Sequence, residues 1–445
     1  MCRPTNLLGT DVSLKTTSVP LVSVPILYVS LGGILLYARL LLTLDMPVTL
    51  FHVFFILATV SSTIIVLLRN VSVRLRLVVV ISWIITLQLA GPLRLPDDIL
   101  SNYPDAWYVK QIVDHIISSG DLSLKYGTGQ AYAYSFYPAV QSFIAMFVVM
   151  TAAPPIGFMK YVGPALSGPL LIIVFGLFRT FTSEDDAIIA TQIAGSCFWY
   201  ITFGSKPVQS TFGTLFAMLV LFALARRTAT WNVIFVIGSL ALTLSHFLTG
   251  VYVLLLLGAA KSYMVVRRSI HTCPTLAPLS LSKLTLSATT FILWMIYSTT
   301  FFVGDLFELL SYAFYDIGLA NVRFVLYGPS TTAANPIGSR IVGDIGILLY
   351  GSLLVGTYLF LNTRKSGDRL CGLLPYAFGS GAVFAVHAII FGAGVSFATD
   401  ILPRGFLYTY LIGAPLVVFA LRKWYRPAPS RSISSSQTIP LPNFG

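Results

Sequence analysis

Between Arg94 and Pro138 the chain sets five aspartates, Asp97, Asp98, Asp105, Asp114 and Asp121, among the tyrosines Tyr103, Tyr108, Tyr126, Tyr132, Tyr134 and Tyr137. Only 16 acidic residues occur in all 445, so this one stretch holds about a third of them. A positioned carboxylate can take the proton of a hydroxyl nucleophile. Asp105 opens the run PDAWYVKQIVDHIISSGD, in which Ile112, Val113, Ile116 and Ile117 fall at helical spacing and Gly120 supplies a stop. The pattern predicts a short amphipathic helix lying flat on a membrane surface, with Asp105 in its first turn. A first-turn aspartate also serves simply as a cap. Asp97 and Asp98 stand as the alternative acids.

Two other constellations carry chemistry. His246 lies in TLSHFLTGVY with Ser245, Thr249 and Tyr252 close by, between two apolar runs. Such a histidine either fills a turn or donates to a bound phosphate or sugar hydroxyl. Arg404 lies in ATDILPRGFLYTY, at the start of the last apolar run, four residues after Asp400. An arginine there either snorkels to the interface or grips a phosphate through its two-pronged guanidinium, oriented by Asp400. Lys206 and Arg340 are weaker phosphate candidates. The stretch 304–338, with Asp305, Glu308, Asp316 and Arg323, is expected to cover the site or select an acceptor. No P-loop, zinc triad or dinucleotide fingerprint is present. A divalent metal is compatible with the acids but not required by them, and the cofactor is left open.

The elements that must position these residues are hydrophobic. Apolar residues make up 56% of the chain and charged residues 10%, against about 25% charged in a soluble domain. The apolar runs are continuous rather than alternating, which excludes a β-barrel. The expectation is an all-α polytopic transmembrane protein with 12 to 13 apolar segments: about 19–44, 47–68, 75–93, 136–153, 158–180, 186–203, 208–225, 231–248, 250–266, 284–303, 339–361, 371–394 and 402–421. These form one transmembrane domain over 1–426. A Ser- and Pro-rich tail, 427–445, has a composition that predicts disorder. The four cysteines are scattered and propose no disulfide framework.

The net charge of +12 comes from short loops beside the spans, as the positive-inside rule requires, and not from a nucleic-acid surface. Arg69, Arg74, Arg76, Arg226, Arg227, Arg267, Arg268, Arg364 and the tail arginines mark the cytoplasmic side. The stretches 94–135 and 304–338 then face outside. One conflict remains open. Four apolar segments separate 94–135 from Arg226 and Arg227, and four crossings would put that pair outside. Either 136–153 or 186–203 is expected to be re-entrant or tilted.

An aspartate, an aromatic shortly after it, an apolar helix and a closing Gly-Asp resemble the first external loop of the GT-C superfamily of membrane glycosyltransferases. Asp105, Tyr108, Gly120 and Asp121 carry that resemblance. Tyr134, Tyr137 and Pro138 are similar to the aromatic-proline approach to the family's next span, Ser-His-x-x-Thr to a motif of archaeal members, and Asp-x-x-x-Arg to its lipid-phosphate site. The family usually has a second acid directly after the first; here it is Ala106, which weakens a metal-binding pair. The resemblance implies an extracytoplasmic transferase moving a sugar from a polyprenyl (dolichyl) phosphate to a glycan, lipid or protein acceptor. Asp105 would be the base, and Arg404, His246, Tyr108, Tyr137 and Asp400 would contact substrate. No Trp-Trp-Asp-Tyr-Gly signature or large C-terminal domain is present, which argues for a monosaccharide donor. A transporter or flippase of lipid-linked glycans, or an inactive relative, are the rival readings.

Overall fold

The computed structural model describes residues 23–44, 48–100, 104–122, 134–206, 208–226, 228–268, 279–298, 357, 369–382 and 398–425. Helices α1 (Ser23–Leu44), α2 (Val48–Leu67) and α3 (Val73–Leu93) are followed by α4 (Pro104–Ser119), α5 (Ala139–Thr151) and α6 (Pro155–Phe181). Then come α7 (Glu184–Gly195), α8 (Phe198–Gly204), α9 (Gln209–Ala225), α10 (Ala229–Ser245), α11 (Phe247–Arg268), α12 (Leu281–Ser298), a 3-10 turn (Arg369–Gly372) and α13 (Ala398–Tyr425). No strand occurs among the described residues. Five of these helices contain stretches long and apolar enough to span a bilayer: Ser23–Leu40, Thr49–Leu67, Val73–Leu93, Pro155–Phe181 and Phe247–Val266. Phe55, Ile56, Val60, Ile64 and Leu67 line an exposed apolar face on α2, as lipid contact requires. The chain is an all-α polytopic membrane protein.

The described residues fall into two compact units. The first contains α1 to α5 with most of α6, then α8 to α10, the start of α11, and α12. Within it α3 and α6 run antiparallel. Lys160 donates to the carbonyl of Pro96, Ser167 Oγ donates to Gln88 Oε1, and Gly168 faces Ile81 and Ile85. A side chain on Gly163 would put its Cβ 2.4 Å from the carbonyl oxygen of Gly204. Only glycine permits that approach, so the Gly204 turn sits beside the start of α6.

The end of α3 and the start of α6 stand at the same end of the unit. Helix α5 has 13 residues, about 20 Å long, against a hydrocarbon core of about 30 Å. It buries Val140, Ile144, Ala145 and Val148, exposes Met146, Val149 and Met150, and turns back through Ala152 at φ 52°. Within the segment 136–153, the helix is thus shorter than a full crossing of the hydrocarbon core. The segment expected at 186–203 is instead broken into α7 and α8 at Ser196 and Cys197. From the Gly204 turn α9 runs to the opposite end, where Phe222 meets Gly176 and Trp231. Arg226 thereby lies at the same end of the unit as Arg74 and Arg76.

Helix α4 departs from the expected surface helix. Its Ala106, Val109 and Val113 are buried with Leu100, Val140, Ile144, Met159, Val162 and Phe212, so its apolar face packs on protein from α5, α6 and α9. In the second unit α13 packs on α7, and Arg422 pairs with Asp186 at 2.5 Å. The expected runs 304–338 and 339–361 and the tail 427–445 lie outside the described residues, apart from Thr357.

Single cysteines placed at Thr151 and at Asp98, in a chain with its native cysteines replaced by serine, should label from the same face of a sealed vesicle. A cysteine at Asn70 should label from the opposite face. Labelling of Thr151→Cys with Asn70→Cys would mean that α5 crosses.

Candidate active site

Proline at position 104 opens α4 and Asp105 occupies its first turn, where a carboxylate complements the positive end of the helix dipole. Asp105 is half-buried and has no hydrogen bond or ion pair among the described residues. The neighbouring acids are already engaged. Asp114 pairs with Lys110 one turn earlier on α4. Asp97 accepts two hydrogen bonds from the Arg39 guanidinium, at 3.1 and 3.0 Å, and that contact holds its carboxyl below the usual aspartate range. Asp98 is exposed. A base must be free to accept a proton, which separates Asp105 from Asp97.

The position directly after Asp105 is closed to an acid. Ala106 is 0% exposed and sits in the apolar cluster under α4. A carboxylate at that position would be buried without a partner. Among the described residues no group of three His, Cys, Asp or Glu side chains converges as a metal site.

The tyrosine segment lies against this helix. The rings of Tyr108 and Tyr134 are 6.0 Å apart. The backbone from Tyr134 to Pro138 is held by side chains from other helices. Gln209 Nε2 donates to the carbonyls of Tyr134 and Tyr137 at 2.9 and 3.1 Å. Gln141 Nε2 donates to Tyr134 at 3.0 Å, and Trp294 Nε1 donates to Phe136 at 3.1 Å. Tyr137 is buried, its hydroxyl 3.5 Å from Met295 Sδ, and burial pushes its phenol above the ordinary tyrosine value. It stays neutral and contributes packing and a dipole rather than a proton.

His246 follows the last residue of α10 and is buried at the junction with α11. Its Nδ1 accepts from the Thr249 backbone N–H at 3.1 Å and lies 2.8 Å from Thr249 Oγ1. The neutral ring therefore carries its proton on Nε2. The Phe247 ring lies tilted beside Tyr137, ring centres 6.4 Å apart. Gly213 of α9 packs against His246 and Thr249. Ser245 is spent inside its own helix, donating to Ala241. Asp105, Tyr108, Tyr137 and His246 thus belong to one packed group of segments at one end of the first unit.

Arg404 and Asp400 lie in the first turns of α13, but their side chains are outside the described residues, as are Arg340, Asp305, Glu308, Asp316 and Arg323. Lys206 lies with its Nζ 5.9 Å from the Phe203 ring centre. The reading of motifs overlooked Gln88, Gln141, Gln209, Trp294, Arg39 and Lys160. Their common signal is a polar or charged residue isolated within an apolar run.

No family model matches this chain, and no curated protein matches it.

Ala106→Asp should lower thermal stability in detergent by about 3 kcal/mol or more, the scale of an unpaired charge left in a buried site. Ala106→Ser should cost far less. A stable Ala106→Asp protein would show that the second carboxylate finds solvent or a ligand.

Proposed function

We propose that this chain is a membrane glycosyltransferase of the GT-C kind, transferring a sugar from a polyprenyl-phosphate donor to an acceptor hydroxyl, with Asp105 as general base. One observation carries the reading. Asp105 is an unengaged carboxylate, fixed at a helix start and packed beside the tyrosine segment and the His246 turn. Every other acid that the same stretch offers in the described residues is either ion-paired or exposed.

In the proposed reaction the acceptor oxygen attacks the anomeric carbon, the bond to the polyprenyl phosphate breaks, and the acceptor proton passes to Asp105. Lipid phosphate is a good leaving group without protonation, so one positioned base suffices. Tyr108 and Tyr137 would flank the sugar. His246, through its Nε2–H, would meet the donor phosphate. The end bearing Arg74, Arg76 and Arg226 faces the cytoplasm in this proposal, by the positive-inside rule, and the Asp105 end faces outward at the cell membrane. The charges described in the first unit stand toward helix ends, which favours an enzyme over a transporter with mid-membrane charges.

Purified protein should transfer radiolabelled sugar from a polyprenyl-phosphate sugar to an acceptor. Asp105→Asn should lower turnover by about 100-fold or more, the scale of a general base, and leave donor binding nearly unchanged. Retained turnover in Asp105→Asn, with loss in Asp97→Asn or Asp98→Asn, would move the base to the earlier acids.

A further inference from the structure

Arg39 is the only charged residue within α1, and Lys160 lies in the second turn of the apolar α6. Charges inside membrane helices are costly and rarely idle. Both converge on the same three-residue stretch, Pro96 to Asp98. Arg39 holds Asp97 through both guanidinium nitrogens, in an exposed pair whose side chains are 42% and 80% accessible. Lys160 is 3% exposed and spends one of its three N–H donors on the Pro96 carbonyl. Asp98 is exposed beside them, and Arg94, two residues before Pro96, is exposed and without a side-chain partner among the described residues. Arg39 and Lys160 thus stand beside Asp97 and Asp98, with Arg94 near them in the chain.

A carboxylate seated two-pronged on arginine has the geometry of a phosphate seated there. We propose that Arg39 and Lys160 form a phosphate-binding site at the Asp105 end of the first unit, in which the Asp97 carboxylate is the resting occupant. A phosphate ester takes the seat by displacing Asp97 from Arg39. The displacement frees the stretch 96–100, and with it the anchor of the chain leading into α4. Leu100 is packed in the same cluster as Val109 and Val113, so the state of this pair reaches the helix that bears Asp105. The phosphate could belong to a membrane lipid or to a soluble ester. Only the lipid source rests on the function proposed above.

The sign of one mutation separates this from a purely structural ion pair. Asp97→Asn is nearly isosteric, and exposed pairs contribute little to stability, so the variant should fold. It removes the competing carboxylate and leaves the cations. Binding would be measured on full-length protein in nanodiscs, with farnesyl monophosphate as the lipid probe and radiolabelled inorganic phosphate as the soluble one. Asp97→Asn should bind phosphate about tenfold tighter than the unaltered chain. Arg39→Gln in the Asp97→Asn background should lose that gain, and Arg39→Lys should keep part of it. Lipid probe binding at least tenfold tighter than inorganic phosphate assigns the site to a lipid headgroup; equal binding assigns it to a soluble ester. Equal or weaker binding by Asp97→Asn, or binding by the double variant as tight as by Asp97→Asn alone, overturns the site. These measurements need no turnover. An inactive Asp105 therefore leaves them standing, and their failure leaves sugar transfer untouched.

Discussion

Backbone polar groups within an apolar bundle must find partners inside the protein, because lipid offers none. This chain meets that demand with glutamines where its helices are interrupted. Gln209 and Gln141 hold the carbonyls before α5, and Gln88 donates to Tyr200 at 3.2 Å in the short helix after the α7–α8 break. Each neutral amide costs less to bury than a charge, and Gln88 and Gln209 reach groups more than 70 residues away in the chain. Without these contacts the Tyr134–Pro138 segment would have no fixed course, and the aromatic face near Asp105 no shape.

The same constraint explains why a short helix is tolerated beside long ones. Helix α5 packs one face on α4 and α6 and leaves Met146, Val149 and Met150 exposed. It satisfies its own backbone and needs no full crossing. Because it turns back at Ala152, the start of α6 and the end of α3 share an end of the unit. That geometry gathers residues 94–100, 134–138 and 246–250 at one end and leaves Arg74, Arg76 and Arg226 at the other.

Around Asp105 the arrangement divides the acids by environment. Asp97 is held by Arg39 and Asp114 by Lys110, whereas Asp105 faces neither. Ala106, one residue on, points into the core. A helix turns by about 100° per residue, so consecutive positions cannot both face an open site. An acid at 106 would demand a different seat for α4.

Membrane residence and the all-α class were legible from the sequence, since continuous apolar runs admit no other solution in lipid. The position of Asp105 in a first turn was legible too, from the spacing of Ile112, Val113, Ile116 and Ile117 and the stop at Gly120. The extent of α5 was not. The run 136–153 has the hydropathy of a span, and only the structure shows a helix of 13 residues that ends at a left-handed Ala152. The packing of α4 on protein was equally hidden, because an amphipathic pattern reads the same whether the apolar face meets lipid or other helices. The roles of Gln88, Gln141, Gln209, Arg39 and Lys160 were decided by tertiary structure alone. All but Gln141 act on a group far away in sequence, and a single polar residue in an apolar run does not name its partner.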